Sequence, residues 1–302
     1  MSKKDMEITD HDLVIFKFLW RWKLATSSAL SCRYANYFKT SSHTLYKRLN
    51  RLKEEGFLDV LRVFAPRPGF AWTLTDKSYA ALKSFLPELI QSGYKSENPT
   101  HDLFVQAAHL GPYLEVNALS DNLKLVTEQE LRRIHPDCLP VTLKKEGTHR
   151  ADGYWIYDKG VTKKIVALEV ETSRKSAERY RESILLYSLS HDIDAVVWIV
   201  ESEKIINAIS GELQTDRYST TCKHHFILLQ DFIENGWNAR LVSSAKSDQK
   251  LMGLMNTCFG EKTWKTRGKS LEKNQVNCVL DTRLAPTVPS TCAATGEALR
   301  CD

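Results

Sequence analysis

Apolar residues in the first ninety positions recur three times at helical spacing. Over 10–23, Leu13, Phe16, Leu19 and Trp20 share one face, and Asp10 stands before them as a cap. Thr26, Ser27 and Ser28 open a second, shorter helix. Thr40, Ser41 and Ser42 open a third, in which Leu45, Leu49 and Leu52 fall at i, i+4 and i+7. Gly56 ends that helix as a left-handed cap. Over 58–75 the pattern becomes two strands about a turn at Pro66-Arg67-Pro68-Gly69. A closing helix follows over 76–89. The polar stretch 91–100 reads as a linker, which sets off a first domain at 8–90.

The second domain, 101–240, begins with a helix. A short strand and a helical turn follow over 123–134, then strands over 148–160 and 163–176. Next comes an amphipathic helix carrying Tyr180, Ile184 and Tyr187 on one side. The fully apolar run 194–200 is the mark of a strand buried on both faces. A helix over 202–210, a strand over 225–229 and a helix over 230–235 complete the unit. This order predicts an α/β (α+β) fold with a mixed sheet. Beyond 241 the periodicity fades, so 241–302 is expected to be a largely flexible tail, with Lys262, Lys265, Arg267 and Lys269 giving it a basic patch.

Charge sharpens the first domain. The 302 residues carry a net charge of +5, but residues 1–75 hold 13 Lys and Arg against 7 Asp and Glu, and the remainder 29 against 30. A basic end on a near-neutral body suits a polyanion. Lys47, Arg48, Arg51 and Lys53 lie between the leucines of the third helix, with Ser42 and His43 at its N-terminus. Arg62 and Arg67 flank the tip of the two-stranded ribbon. Helix, helix, basic helix and ribbon make a winged helix-turn-helix, with Ser42, His43, Lys47, Arg48 and Arg51 facing DNA and Arg62 and Arg67 its backbone. A winged helix also serves as a protein-docking module, and the sequence leaves that open.

Composition excludes several classes. With 42% hydrophobic residues the chain can build a core. No apolar run approaches the ~20 residues of a membrane span, and no secretory leader is evident, so a cytoplasmic protein with no membrane partner is expected. The seven cysteines form no CxxC pair and are expected to be reduced thiols rather than zinc ligands or a disulfide scaffold.

Candidate chemistry lies in the second domain. Along 163–176, Val166, Leu168 and Val170 alternate with Ala167, Glu169 and Glu171. Two glutamates at i, i+2 repel unless a cation or solvent separates them. An antiparallel partner strand brings Asp152 beside them, and Lys175 follows at the mouth of the next helix. Three carboxylates and a lysine suit a divalent metal that activates water against a phosphodiester, and oxygen-only ligation favours Mg²⁺ or Mn²⁺. His149 is a candidate metal ligand or proton relay, or a strand-end histidine bonded to backbone. Glu128 or Glu130 is a candidate extra carboxylate, or a first-turn acid favoured by the helix dipole. Arg179 is a candidate phosphate contact. Tyr157 and Tyr187 lack the histidine cluster that would accompany a tyrosine nucleophile.

The block HRADGYWIY…VALEVETSRKSAERYRESILLY resembles the PD-(D/E)XK nuclease-like core. More closely it resembles the replication-relaxation and MOBC-type mobilisation relaxase group, in which a winged helix precedes such a core. The resemblance spans roughly 8–235, and its specific part runs from His149 to Tyr187. It implies that Asp152 and Glu169 are the two motif acids, with Mg²⁺ or Mn²⁺ at Asp152, Glu169 and Glu171. It implies nicking of a plasmid or mobile-element transfer origin, as duplex or single strand, alongside relaxosome accessory and coupling proteins. The sequence departs from the pattern at Ala151, where proline is usual, and at Glu171, where lysine is usual. Lys175 is then the substitute cation. The alternatives are a non-catalytic DNA-binding accessory or regulatory protein with a degenerate core, and a restriction-type enzyme.

Overall fold

The computed structural model describes residues 7–34, 38–64, 68–111, 123–134, 136–140, 143, 149–160, 162–215, 223–242 and 249–260. Helix α1 (Asp10–Trp22) starts one residue earlier than its apolar face suggests. Thr9 is the cap, in a reciprocal capping box with Asp12. The helix stops at Lys23, whose φ of 65° no regular helix accepts. Strand β1 (Leu24–Ala25), α2 (Ser27–Tyr34) and α3 (Ser42–Glu54) follow. Ser41 caps α3, and Leu45, Leu49 and Leu52 are its buried residues. Strands β2 (Leu58–Val63) and β3 (Gly69–Leu74) form the hairpin, and β1 pairs with β3, giving an antiparallel sheet in the order β1-β3-β2. Trp72 is fully buried, and its indole N–H donates to Ser27 Oγ at 2.8 Å. Helix α4 (Asp76–Lys83) closes this part.

A second sheet follows. Its elements are α5 (Pro99–Leu110), β4 (Leu123–Thr127), α6 (Glu128–Arg133), β5 (Gly153–Lys159), β6 (Thr162–Glu171), α7 (Ala177–Leu189), β7 (Ala195–Val200), α8 (Glu203–Thr215), β8 (Lys223–Leu228), α9 (Leu229–Asn235) and α10 (Leu251–Phe259). The strand order is β4-β5-β6-β7-β8. The pairs β4-β5 and β5-β6 are antiparallel, and β6-β7 and β7-β8 are parallel. The parallel pairs are those joined by whole helices, α7 and α8, because a parallel return needs a crossover. The chain is thus a mixed α/β protein with two sheets, one of them five-stranded and mixed.

Each face of the large sheet has its own apolar layer. Val166, Leu168, Val170, Val197 and Ile199 face α5, in a core continuous with Phe16, Leu19, Leu52 and Trp72 of the first ninety residues. Ala167, Val196 and Trp198 face α7 and α8, against Tyr180, Ile184, Tyr187 and Ile209. Helix α5 lies between the two sheets, and every residue from Asp102 to Leu110 is buried. The stretch expected as a linker is also tied down at Tyr94, which is buried and whose hydroxyl donates to Asp76 at 2.8 Å.

Two expectations are corrected. Residues 251–259 are not tail: α10 buries Leu251, Leu254, Met255 and Phe259 in the first core. Their spacing is helical, but the polar run before them hid it. Residues 261–302 lie outside the described residues, as do the basic positions Lys262, Lys265, Arg267 and Lys269. The cysteines are not all reduced: Cys138 and Cys258 are, but Cys32 is disulfide-bonded. Disulfide pairing follows approach in space rather than spacing in sequence. Among the described residues no helix is long and apolar enough to cross a membrane.

Candidate carboxylate site and basic face

The alternation on β6 sets the site. Ala167, Glu169 and Glu171 point to the α7 side, opposite Val166, Leu168 and Val170, and both glutamates are buried. Gly153 on β5 pairs with Leu168, so Asp152, one residue before β5, comes level with Glu169. Its backbone N–H donates to Leu168 O at 3.1 Å.

The three carboxylates share this end of the β5-β6 pair but take different partners. Glu169 accepts from Tyr187 OH and lies 2.5 Å from His149 Nε2. Glu171 Oε1 is 2.6 Å from Lys175 Nζ. Asp152 Oδ2 accepts from Val170 N–H at 2.7 Å and lies 3.3 Å from His101 Nε2 of α5. The Asp152 carboxylate thus meets His101 of α5 while lying near enough to Lys175 for the two charges to act on each other. Among the described residues no three His, Cys, Asp or Glu side chains are gathered as metal ligands. The three carboxylates are neighbours at this end of the β5-β6 pair, and each has a partner from the protein.

Electrostatics reflect the crowding. Burial raises the Glu171 carboxyl to about 7; Lys175 opposes this, and the charges of Glu169 and Asp152 add to it. Burial works against the His101 imidazolium, but Asp152 and Asp102 on either side hold its pKa up to about 11. His149 is likewise penalised by burial yet raised by Glu169. Lys175 is raised by Glu171 against the cost of burial.

Glu171 gives a pH prediction. Its carboxyl titrates higher in the folded chain than the ordinary 4.5, so its contribution to stability is complete below that pH and is lost as pH rises to about 7. Glu171→Gln should therefore be more stable than the parent at pH 8, by roughly 2 kcal/mol. The difference should close toward pH 4.5. Thermal melts across that range with chelator present check this, and a constant difference would contradict it.

His101, Asp102 and Lys23 went unnoticed in the sequence. Lys23 Nζ lies 3.1 Å from Asp102 Oδ1 and 2.8 Å from Glu128 Oε2. A chain of ion pairs thus runs Lys23–Asp102–His101–Asp152, from the end of α1 to the carboxylate site. The available signal was two polar residues, His101 and Asp102, in the first turn of a mostly apolar helix capped by Asn98. Glu128 also pairs with Arg132, while Glu130 closes a capping box with Thr127 and pairs with Arg21 at 3.1 Å. Both are occupied structurally, and Glu128 lines one cavity with Asp152. Tyr187 is buried and holds Glu169.

The basic face divides. Ser42, His43, Lys47 and Arg51 are exposed on α3, and Arg62 is exposed on β2 with its guanidinium over the Phe64 ring. Arg67 lies outside the described residues. Arg48 is different: its Nε donates to Asp12 Oδ1 at 2.9 Å, and a second nitrogen pairs with Asp12 Oδ2. Arg48 pins α3 to α1, because the buried Asp12 needs a cation. Arg48→Ala should therefore cost about 2 kcal/mol of stability, less than for a fully buried pair because Arg48 is part-exposed. Lys47→Ala with Arg51→Ala should leave stability unchanged and weaken DNA binding, reducing the salt slope by about one unit per phosphate contact. Urea melts and salt-dependent DNA titrations separate the two; equal effects of both on stability would contradict it.

No family model matches the chain, and neither a curated protein nor a solved structure matches it.

Proposed function

We propose that this protein is a metal-dependent DNA endonuclease, with its first part holding DNA and its larger sheet carrying the hydrolytic site. The observation that carries this reading is the placement of Asp152, Glu169, Glu171 and Lys175 at one end of the β5-β6 pair. The succession α5, β4, α6, β5, β6, α7, β7 builds the mixed α/β sheet on which that site sits. The order α1, β1, α2, α3, β2, β3 with sheet order β1-β3-β2 agrees with a winged helix-turn-helix.

The donor set fits a hard divalent ion. It is all-oxygen, drawn from three carboxylates at one end of the β5-β6 pair. Asp152, Glu169 and Glu171 would hold Mg²⁺ or Mn²⁺, which supplies Lewis acidity and lowers the pKa of a water. The protein's own groups do the rest. Lys175 places an ammonium where charge develops on the phosphate. His149 is a proton-holding group at Glu169, and His101 with Val170 N–H orients Asp152. The finer reading, a relaxase that nicks a transfer origin with accessory and coupling proteins, rests on the resemblance of the His149–Tyr187 block.

A second reading is favoured by one observation: each carboxylate already has a partner from the protein, His101, His149 with Tyr187, or Lys175. A core closed in this way suits a DNA-binding accessory protein that has lost its chemistry. Calorimetric titration with Mn²⁺ separates the two. The nuclease reading expects binding by the parent and none by Asp152→Asn with Glu169→Gln. An absence of Mn²⁺ binding by the parent would favour the accessory protein.

A further inference from the structure

Helix α6 ends on Arg132 and Arg133, against the segment 93–98 that leads into α5. A cavity of about 140 Å³ lies among these elements and reaches Asp152. Most of its charges are matched within the protein. Asp102 lies 3.1 Å from Lys23 Nζ, Glu128 lies 2.8 Å from Lys23 Nζ and 2.5 Å from Arg132 Nη2, and Asp152 lies 3.3 Å from His101 Nε2. Arg133 is the exception. It is half-buried, and among the described residues its hydrogen-bond partner is a neutral group, since Nε donates to Gly93 O at 2.9 Å. Its Nη1 and the neighbouring Arg132 Nε are buried with no acceptor among the described residues. Burial and the charge of Arg132 both hold the Arg133 guanidinium below its ordinary pKa. Buried charges are normally paired, and this one lacks its anion. Exposed Lys95 lines the same cavity and, among the described residues, pairs with no acid; exposed Glu97 is the acid there that no cation holds.

We propose that this cavity is a subsite for one phosphate group of the nucleic-acid substrate, held by Arg133, Arg132 and Lys95 beside Asp152. The inference rests on the nuclease reading for the source of the phosphate, but not for its binding. Size selects a compact ion: the cavity exceeds the roughly 30 Å³ share of one water and falls short of the roughly 300 Å³ at which small-molecule sites begin, so it has room for a tetrahedral oxyanion and none for a base. Chemistry selects phosphate, because adjacent guanidinium groups present forked N–H donors that match its oxygens. Gln129, 1% exposed, lines the same cavity, and its Oε1 has no donor among the described residues; a water carried in with the anion supplies one. The cavity shares Asp152 with the carboxylate site, so the phosphate it takes is a neighbour of the one under attack. The exposed basic face of α3 is a separate surface.

The test uses the full chain in chelator, so that nothing is cleaved, and two probes: inorganic phosphate, and a thymidine dinucleotide whose single phosphodiester stands for a strand. Phosphorus NMR line broadening at constant ionic strength reads the affinity of each. Lys95 is exposed, and Gly93 O also accepts from Gln129 Nε2 at 2.9 Å, so Lys95→Gln with Arg133→Gln should keep the parent's melting temperature. The expected result is binding of both probes by the parent and a loss of at least about tenfold on both in this variant, the scale of one hydrogen bond to a charged group. Lys47→Ala with Arg51→Ala should bind both as the parent does. Should Arg133→Gln lower the melting temperature, Lys95→Gln alone must still weaken both probes. A parent that binds neither probe, a parent that binds inorganic phosphate but not the dinucleotide, or equal losses in the α3 variant would overturn the proposal. Capture of both probes by a protein that never nicks would refute the nuclease reading alone.

Discussion

Glu169→Gln should lower metal-dependent nicking by about a thousandfold or more, the scale on which loss of one charge-stabilising group acts on kcat, while duplex affinity stays within about twofold. The substitution keeps the size of the side chain and an acceptor oxygen for Tyr187 OH, so the buried contact with α7 survives. What it removes is the negative charge between His149 and the proposed metal position. On the proposed reading DNA affinity is carried elsewhere, by exposed cations on α3, where Lys47 and Arg51 belong to the segment 1–75 with 13 basic against 7 acidic residues. Plasmid-nicking rates and gel-shift titrations on the same preparations check this. Parallel loss of rate and affinity would mean that Glu169 supports the fold or the DNA surface rather than the chemistry.

Gly153→Ala should destabilise the protein by about 3 kcal/mol, the upper part of the range for overfilling a packed site. A Cβ there would fall 2.0 Å from His109 Nε2 and 2.7 Å from the backbone oxygen of Val126. Neither can give way. His109 is fully buried beside Trp22 and Trp155, and its Nδ1 accepts from the Trp155 indole at 3.0 Å. Val126 is held in β4, where it pairs with Tyr154. The same strain would reach Asp152, the preceding residue. Gly211 on α8 is the control: a Cβ there meets nothing within 4 Å, so Gly211→Ala should stabilise by up to about 1 kcal/mol. Urea midpoints of the two variants read the contrast, and a Gly153→Ala midpoint equal to the parent's would contradict the close approach of α5 to β5.

Local periodicity was legible in the sequence wherever one chain segment faces one core. The leucines of α3, the two strands about the Pro-Gly turn and the Val-Glu alternation of β6 all fall where the spacing puts them. What stayed hidden depends on approach between distant segments. The stretch around Tyr94 reads as a linker because its polarity is local, while the core that crosses it is assembled from α1, α5 and β5. Arg48 counts as one more surface cation until α1 is seen to present a buried Asp12 to it. His101 carries no recognisable spacing with Asp152, since one precedes the sheet and the other opens a strand. The cluster of carboxylates was readable from the pleat of β6; the pairing of Asp152 with His101 was not, because the two come from segments distant in the chain.

The most direct test is conversion of supercoiled plasmid to the open circle by the purified full chain, with a candidate transfer origin as substrate and Mn²⁺, Mg²⁺ or chelator present. A nuclease predicts open circles with either metal, none with chelator, and none from Glu169→Gln or Asp152→Asn. Tight binding to the same DNA without open circles under any metal condition would contradict it and leave a DNA-binding protein with an inactive core.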